Sequence, residues 1–164
     1  MSNIRAGDTA PDFELSDTNG KRVSLREALS RGPVVAAFFK VSCPTCQFTF
    51  PFLQRLFQTY GSDHATFLAI SQDDAADTRE FCAEYGVSFT ALVDEEGYLV
   101  SNDYGLTNVP TFYLIAPDGC VQVDSVGFGK KALEKIAAEL ARAQGCAAAP
   151  LFKPGEVIPE SKPG

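Results

Sequence analysis

Val34-Val35-Ala36-Ala37-Phe38-Phe39 runs through Lys40-Val41-Ser42 into Cys43-Pro44-Thr45-Cys46, and the architecture of the chain follows from this stretch. Its first six residues are apolar without interruption and β-branched at the start, the pattern of a strand covered on both faces. Beyond the cysteines, Phe48, Phe52, Leu53, Leu56, Phe57 and Tyr60 recur at helical spacing. Ser42 is a candidate cap and Pro44 suits a first-turn position. Pro51 lies inside the pattern and is expected to bend the helix. A buried strand, a turn with two cysteines and a long helix therefore follow one another directly.

That order carries a chemical meaning. The thiolate is the nucleophile, and a free thiol with a pKa of about 8.5 is only a few per cent ionised at neutral pH. Unpaired N–H groups and the macrodipole at a helix start stabilise an anion. A shift to about 7 would leave roughly half the thiol ionised. Two intervening residues let the second sulfur meet the first across one turn. Cys43 is the expected exposed attacker, and Cys46 the shielded residue that resolves a mixed disulfide. Haem attachment would want His after the second cysteine, where Gln47 stands. Zinc wants four ligands; there is no second C-x-x-C and the one histidine is His64. The reading therefore has no metal and no cofactor beyond a redox-active Cys43–Cys46 disulfide.

Upstream, residues 12–15 and 21–25 alternate around Asn19-Gly20, a strong hairpin signal. Residues 25–31 read as one or two helical turns stopped by Gly32-Pro33. Downstream, residues 65–71 form a second apolar strand. Residues 73–85 form an amphipathic helix ended by Gly86, with Phe81, Cys82 and Tyr85 on its buried side. Residues 89–93 are a third strand, and 98–106 hold a short helix or an irregular turn. Residues 111–116 and 120–126 pair across Pro117-Asp118-Gly119. Residues 130–144 close the domain as a helix burying Leu133, Ile136, Ala137 and Leu140. Alternating strands and helices imply an α/β sandwich, a mixed sheet covered by helices.

The 164 residues fit one domain, expected over 1–146, with a Pro-rich tail over 147–164. The tail reads as an extended segment on the body or a flexible end, with Leu151, Phe152, Val157 and Ile158 as anchors. Twenty-one acids against 14 bases leave a formal charge of −7, which argues against nucleic acid and anionic membranes as partners. The longest apolar run is far too short to span a bilayer. With no secretory pattern at the N-terminus the expected location is cytoplasmic, or periplasmic if a leader has been removed. Cys82 reads as a small core hydrophobe and Cys120 as the start of a hairpin strand. Cys146 follows the last helix and is open to a partner disulfide. Asp94-Glu95-Glu96 reads as a turn, not a metal site. Asn108-Val109-Pro110-Thr111 precedes a strand, and from local sequence an ordinary trans proline is the simpler reading.

Gly7-Asp8-Thr9-Ala10-Pro11-Asp12-Phe13-Glu14-Leu15, then Gly20, Leu25, Phe38-Phe39 before the cysteines, and Val109-Pro110-Thr111-Phe112 with Pro117-Asp118-Gly119, resemble the redoxin (AhpC/TSA) superfamily. Cys43-Pro44-Thr45-Cys46 makes the chain most similar to its TlpA-like thiol–disulfide oxidoreductases, over about residues 4–145. The resemblance implies a thioredoxin-like sandwich with an N-terminal β-hairpin and an inserted strand and helix. It also implies a nucleophilic Cys43, a resolving Cys46 and a cis Pro110, against the local reading. Pro44, Thr45, Val109 and Pro110 are then expected to touch substrate. The implied substrates are disulfide-containing proteins or low-molecular-weight thiol compounds, reset by a thioredoxin- or glutathione-type reductant.

Two departures matter. Ala37 stands where thioredoxins proper carry a buried Asp, and Ser42 where they carry Trp. Proton transfer from Cys46 must then use water or another carboxylate. Asp73 and Asp74 are the nearest by topology, with plain helix-capping as the alternative. Lys40 is a candidate source of positive potential near Cys43, or simply an exposed strand-end lysine. Peroxiredoxins, the main rival, carry Pro-x-x-x-Thr-x-x-Cys. Counted back from Cys46 the Thr and Pro positions hold Cys43 and Phe39; counted from Cys43 they hold Lys40 and Ala36. Neither register fits. A non-enzymatic docking module on the same fold is the remaining alternative.

Overall fold

The computed structural model describes residues 3–164; Met1 and Ser2, part of the N-terminal reading, lie outside the described residues. The chain opens with a hairpin of β1 (Glu14–Asp17) and β2 (Arg22–Ser24), antiparallel with Leu15 opposite Val23. The Asp17 carboxylate closes its turn by accepting the Asn19 and Lys21 N–H groups at 2.8 and 2.9 Å. β1 sits two residues later than the alternation alone suggests. Ser24 caps α1 (Leu25–Leu29) by accepting the Glu27 N–H.

The central strand β3 (Val34–Phe39) is buried at all six positions. It leads into α2 (Pro44–Tyr60), whose helical run continues through Pro51. Then follow β4 (Thr66–Ser71), α3 (Ala75–Tyr85), β5 (Thr90–Val93), α4 (Leu99–Asp103), β6 (Thr111–Ile115) and β7 (Val121–Val126). A short β8 (Phe128–Gly129), α5 (Lys130–Ala143) and a two-residue β9 (Ser161–Lys162) complete the described chain.

The main sheet has seven strands in the order β2-β1-β5-β4-β3-β6-β7. β3 pairs parallel with β4 and antiparallel with β6, so the sheet is mixed. Side chains alternate across a strand, and both faces of β3 are covered. Val35, Ala37 and Phe39 pack with Phe50, Leu53 and Leu56 of α2, Phe81 of α3, and Leu133, Ile136 and Leu140 of α5. Val34, Ala36 and Phe38 pack on the other face with Leu25 and Ala28 of α1 and Val100 and Tyr104 of α4. Two apolar layers account for a strand with no polar alternation. Consequently the loop after β3 emerges in mid-sheet, with α2 starting beside it.

Asp94, at the start of the acidic turn, does more than bound it. It is 3% exposed, and its carboxylate accepts the Val100 and Ser101 N–H groups and the Ser101 hydroxyl. It thus supplies the start of α4 from within the turn.

The tail is a docked strap. Leu151, Phe152 and Ile158 pack against the core as expected, whereas Val157 points to solvent at 95% exposure and anchors nothing. The Phe152 ring lies 5.4 Å from that of Phe52, and the Ala149 N–H donates to the Tyr60 hydroxyl at 2.9 Å. Arg55 grips both Glu156 oxygens at 2.8 and 2.7 Å. This bidentate grip, with the Lys153 N–H, lowers the Glu156 pKa from 4.5 to about 2. The contribution of the pair is therefore whole above about 4.5 and fades as acid titrates Glu156 toward 2. Tail amides should keep their hydrogen-exchange protection at neutral pH, corrected for intrinsic rates, and lose it below about pH 3. Glu156→Gln should show that loss at neutral pH; equal protection in both proteins would contradict the strap's dependence on this pair.

Candidate active site

The first turn of α2 is built around sulfur. Cys43 is itself the N-cap: its Sγ accepts the Cys46 N–H at 3.1 Å, with extended backbone at φ −84°, ψ 114°. The sequence reading gave this role to Ser42, one residue early. Pro44 follows at the first helical positions, where its missing N–H costs nothing. A donor aimed at Sγ suits a thiolate, which can only accept, and a charged partner strengthens such a bond.

The loop before Cys43 is held on three sides. The Cys43 N–H donates to the Lys40 carbonyl at 3.2 Å, the Gln47 side-chain amide donates to the Val41 carbonyl at 2.9 Å, and the Val41 N–H donates to Asp73 Oδ2 at 2.8 Å. Gln47 carried no role in the sequence reading beyond excluding haem. Its bond back to Val41 depends on the path of the loop, which no local pattern announces.

The two cysteines differ in environment. Cys43 is half-buried, whereas Cys46 is 0% exposed. Burial, above all, pushes the Cys46 thiol far above the ordinary range, and its hydrogen bond to Cys43 adds to the rise. Burial also raises Cys82, to about 11, so that thiol stays protonated at neutral pH. Among the described residues all five cysteines are unpaired.

Opposite Cys43 stands the loop entering β6. The Val109–Pro110 peptide is cis, as the resemblance implies and against the local reading. The Cys43 thiol donates to the Val109 carbonyl at 3.5 Å, so Cys43, Val109 and Pro110 share one rim. Thr45 lies on the same rim, its hydroxyl donating to the Pro163 carbonyl at 2.7 Å.

Other candidates are placed differently. Asp73 holds the loop through Val41, and Asp74 caps α3 by accepting the Asp77 N–H at 2.7 Å. Neither carboxylate hydrogen-bonds a cysteine among the described residues. The Lys40 ammonium sits 5.7 Å over the Tyr98 ring centroid. Among the described residues no group of three or more His, Cys, Asp or Glu could hold a metal ion, and no helix is long and apolar enough to cross a membrane. A cleft of about 560 Å³ is lined by Thr9, Asp12, Arg26 and Asp118 at the end of the sheet remote from Cys43.

The AhpC/TSA family profile matches residues 6–124. A thiol-disulfide oxidoreductase named ResA from Halalkalibacterium halodurans is 31% identical over 134 residues, 80% of this chain and 75% of that protein. Among solved structures, Peroxidoxin BcpB from Mycobacterium tuberculosis aligns with a TM-score of 0.71 and 26% identity, over 86% of this chain and 98% of that one. The thioredoxin domain of a thiol-disulfide oxidoreductase from Bacteroides vulgatus aligns with a TM-score of 0.74 over 84% and 99% of the two chains. At 18% identity it speaks to the fold alone, which is thioredoxin-like. With the profile spanning both cysteines and the hairpin before them, the chain belongs to the AhpC/TSA family.

Proposed function

We propose that this protein is a thiol–disulfide oxidoreductase in which Cys43 is the nucleophile and Cys46 the resolving thiol. The observation that carries the reading is the asymmetry of the pair: Cys43 half-exposed at a helix N-cap with an amide on its sulfur, Cys46 sealed beneath it. The Cys43 thiolate attacks one sulfur of a substrate disulfide, forming a mixed disulfide and expelling the first substrate thiolate. Cys46, losing its proton, attacks the Cys43 sulfur; the Cys43–Cys46 bond forms and the second substrate thiolate leaves. Substrate gains two electrons and two protons, and the pair loses them. One dithiol reductant of thioredoxin type, or two molecules of a glutathione-type thiol that leave as their own disulfide, reverses the change in the protein, so no further cofactor is required.

Pro44, Thr45, Val109 and Pro110 form the rim that a substrate would touch, which their contacts around Cys43 support. Asp73 is the better of the two carboxylates for moving the Cys46 proton, because it already holds the loop over the pair through Val41. Asp74 is occupied in capping α3. Lys40 acts on Cys43 through its backbone carbonyl, while its ammonium is drawn to Tyr98. The domain is assigned to residues 1–146, of which 3–146 are described, with 147–164 strapped onto it.

Peptide mapping after one equivalent of an aryl disulfide is expected to find a Cys43–Cys46 bond, with Cys82, Cys120 and Cys146 still alkylatable. An oxidised protein in which Cys43 remains alkylatable would remove the reading. The structural likeness to a peroxidoxin favours one rival, a thiol peroxidase. Against it, the position three residues before Cys43 holds Lys40, and the nearby Thr45 hydroxyl is already donated to Pro163. In single turnover, hydrogen peroxide should oxidise Cys43 no faster than it oxidises an ordinary thiolate; rapid oxidation would reverse the ranking.

A further inference from the structure

The end of the described chain lies on the proposed substrate rim. β9 pairs antiparallel with β8, Lys162 opposite Phe128 and Ser161 opposite Gly129. The Lys130 N–H donates to the Glu160 carbonyl at 3.0 Å. One residue further, the Pro163 carbonyl accepts the Thr45 hydroxyl, and the Lys162 ammonium covers the Phe48 ring at 4.5 Å. The approach is close enough that glycine is required on both sides. A Cβ at Gly164 would collide with the Val109 carbonyl oxygen, the atom that Cys43 also touches, and a Cβ at Gly127 would collide with the Lys162 carbonyl.

An extended backbone thus runs from β8, past Thr45, to Val109. An incoming polypeptide carrying its disulfide to Cys43 would need that strip. The tip that fills it is held lightly: Ser161, Lys162, Pro163 and Gly164 are all exposed, and the pairing is two residues long. The firm anchors, Phe152 and the Arg55–Glu156 pair, lie earlier in the tail. Cys43 itself remains half-exposed beside the tip, which leaves room for a small molecule.

We propose that residues 161–164 are a specificity element that sorts substrates by size. They occupy the polypeptide-binding strip between Thr45 and Val109, so small disulfides reach Cys43 directly and polypeptide disulfides must first displace the tip. The proposal rests on the assignment of Cys43 as nucleophile. It makes the tip an intramolecular competitor: if it is docked in most molecules, apparent affinity for polypeptide is the intrinsic affinity multiplied by the undocked fraction.

The test compares the reduced native chain, a chain stopped after Glu160, and Lys162→Glu, using insulin and 5,5′-dithiobis(2-nitrobenzoate) as substrates. Removing the tip should raise kcat/KM for insulin roughly tenfold if about one molecule in ten is open at rest. The small aryl disulfide should react at an unchanged rate. Lys162→Glu should move the insulin rate in the same direction by less, and it decides the matter if the shortened chain does not fold. An unchanged ratio of the two rates, or an equal change in both, would overturn the proposal. If the native chain reduces neither substrate, the oxidoreductase reading fails instead, a result distinct from an unchanged ratio.

Discussion

Reduced Cys46→Ser protein mixed with a disulfide-bearing polypeptide should accumulate a covalent adduct that the native chain does not. The adduct should run through Cys43 and vanish in the double variant that also carries Cys43→Ser. Cys43→Ser alone should depress disulfide turnover on the order of 10³-fold or more, as loss of a nucleophile does elsewhere. Attack needs a sulfur that is reachable and supplied with a donor, and Cys43 has both. Resolution needs a second sulfur one turn away. Cys46 meets that need although burial and its hydrogen bond to Cys43 hold its thiol far from ionising. Once Cys43 is tied up in a mixed disulfide, its charge and its hydrogen bond no longer oppose loss of the Cys46 proton. Burial alone remains to be overcome, so resolution is favoured after attack and suppressed before it. Non-reducing gels with peptide mapping give the readout. Adducts that persist in the double variant would assign the attack to another thiol, and the exposed Cys146 would then be examined first.

How far the sequence disclosed this arrangement depended on the length of each signal. β3 was legible because six consecutive buried positions leave no other reading of its apolar run. The hairpin at Asn19-Gly20 and the helix after Cys43 were legible for the same reason: each rests on a local geometric demand. The cis peptide at Val109–Pro110 was not; the local residues favoured trans, and only the family resemblance pointed the other way. The parts that escaped are long-range. Asp73 sits 32 residues from Val41, whose N–H it accepts, and the Thr45 hydroxyl meets a carbonyl 118 residues on. Asp94 looked like one member of an acidic turn until α4 folded over it. β8 and β9 contribute two residues each, too few for any period to register.

Phe50→Ala is expected to be the most damaging single change outside the cysteines. Phe50 is 0% exposed on the inner face of α2. Its ring centroid lies 4.5 Å from that of Phe39, 5.5 Å from Phe81 and 6.4 Å from Phe89. It therefore joins the helix that carries the cysteines to β3, to α3 and to the segment entering β5. Truncation removes the buried ring and leaves a cavity that three other aromatics cannot all relax into, a cost of about 3–5 kcal/mol. For a chain of this size that corresponds to a fall in Tm of roughly 6–20 °C. Phe50→Leu keeps much of the volume and should cost less, which separates a packing defect from a general intolerance of change at the site. The catalytic consequence should be smaller than the thermal one. The Cys43 cap, the Gln47 bond to Val41 and the Asp73 bond to the same residue all lie at the first turn and in the loop before it, without contact to Phe50's ring in those bonds. Well below the transition, disulfide turnover per folded molecule should stay within about tenfold of native, a barrier change near 1.4 kcal/mol. A Phe50→Ala protein with unchanged Tm would mean that the helix is held to the sheet by other contacts, and the aromatic cluster would lose its place as the support of the redox turn.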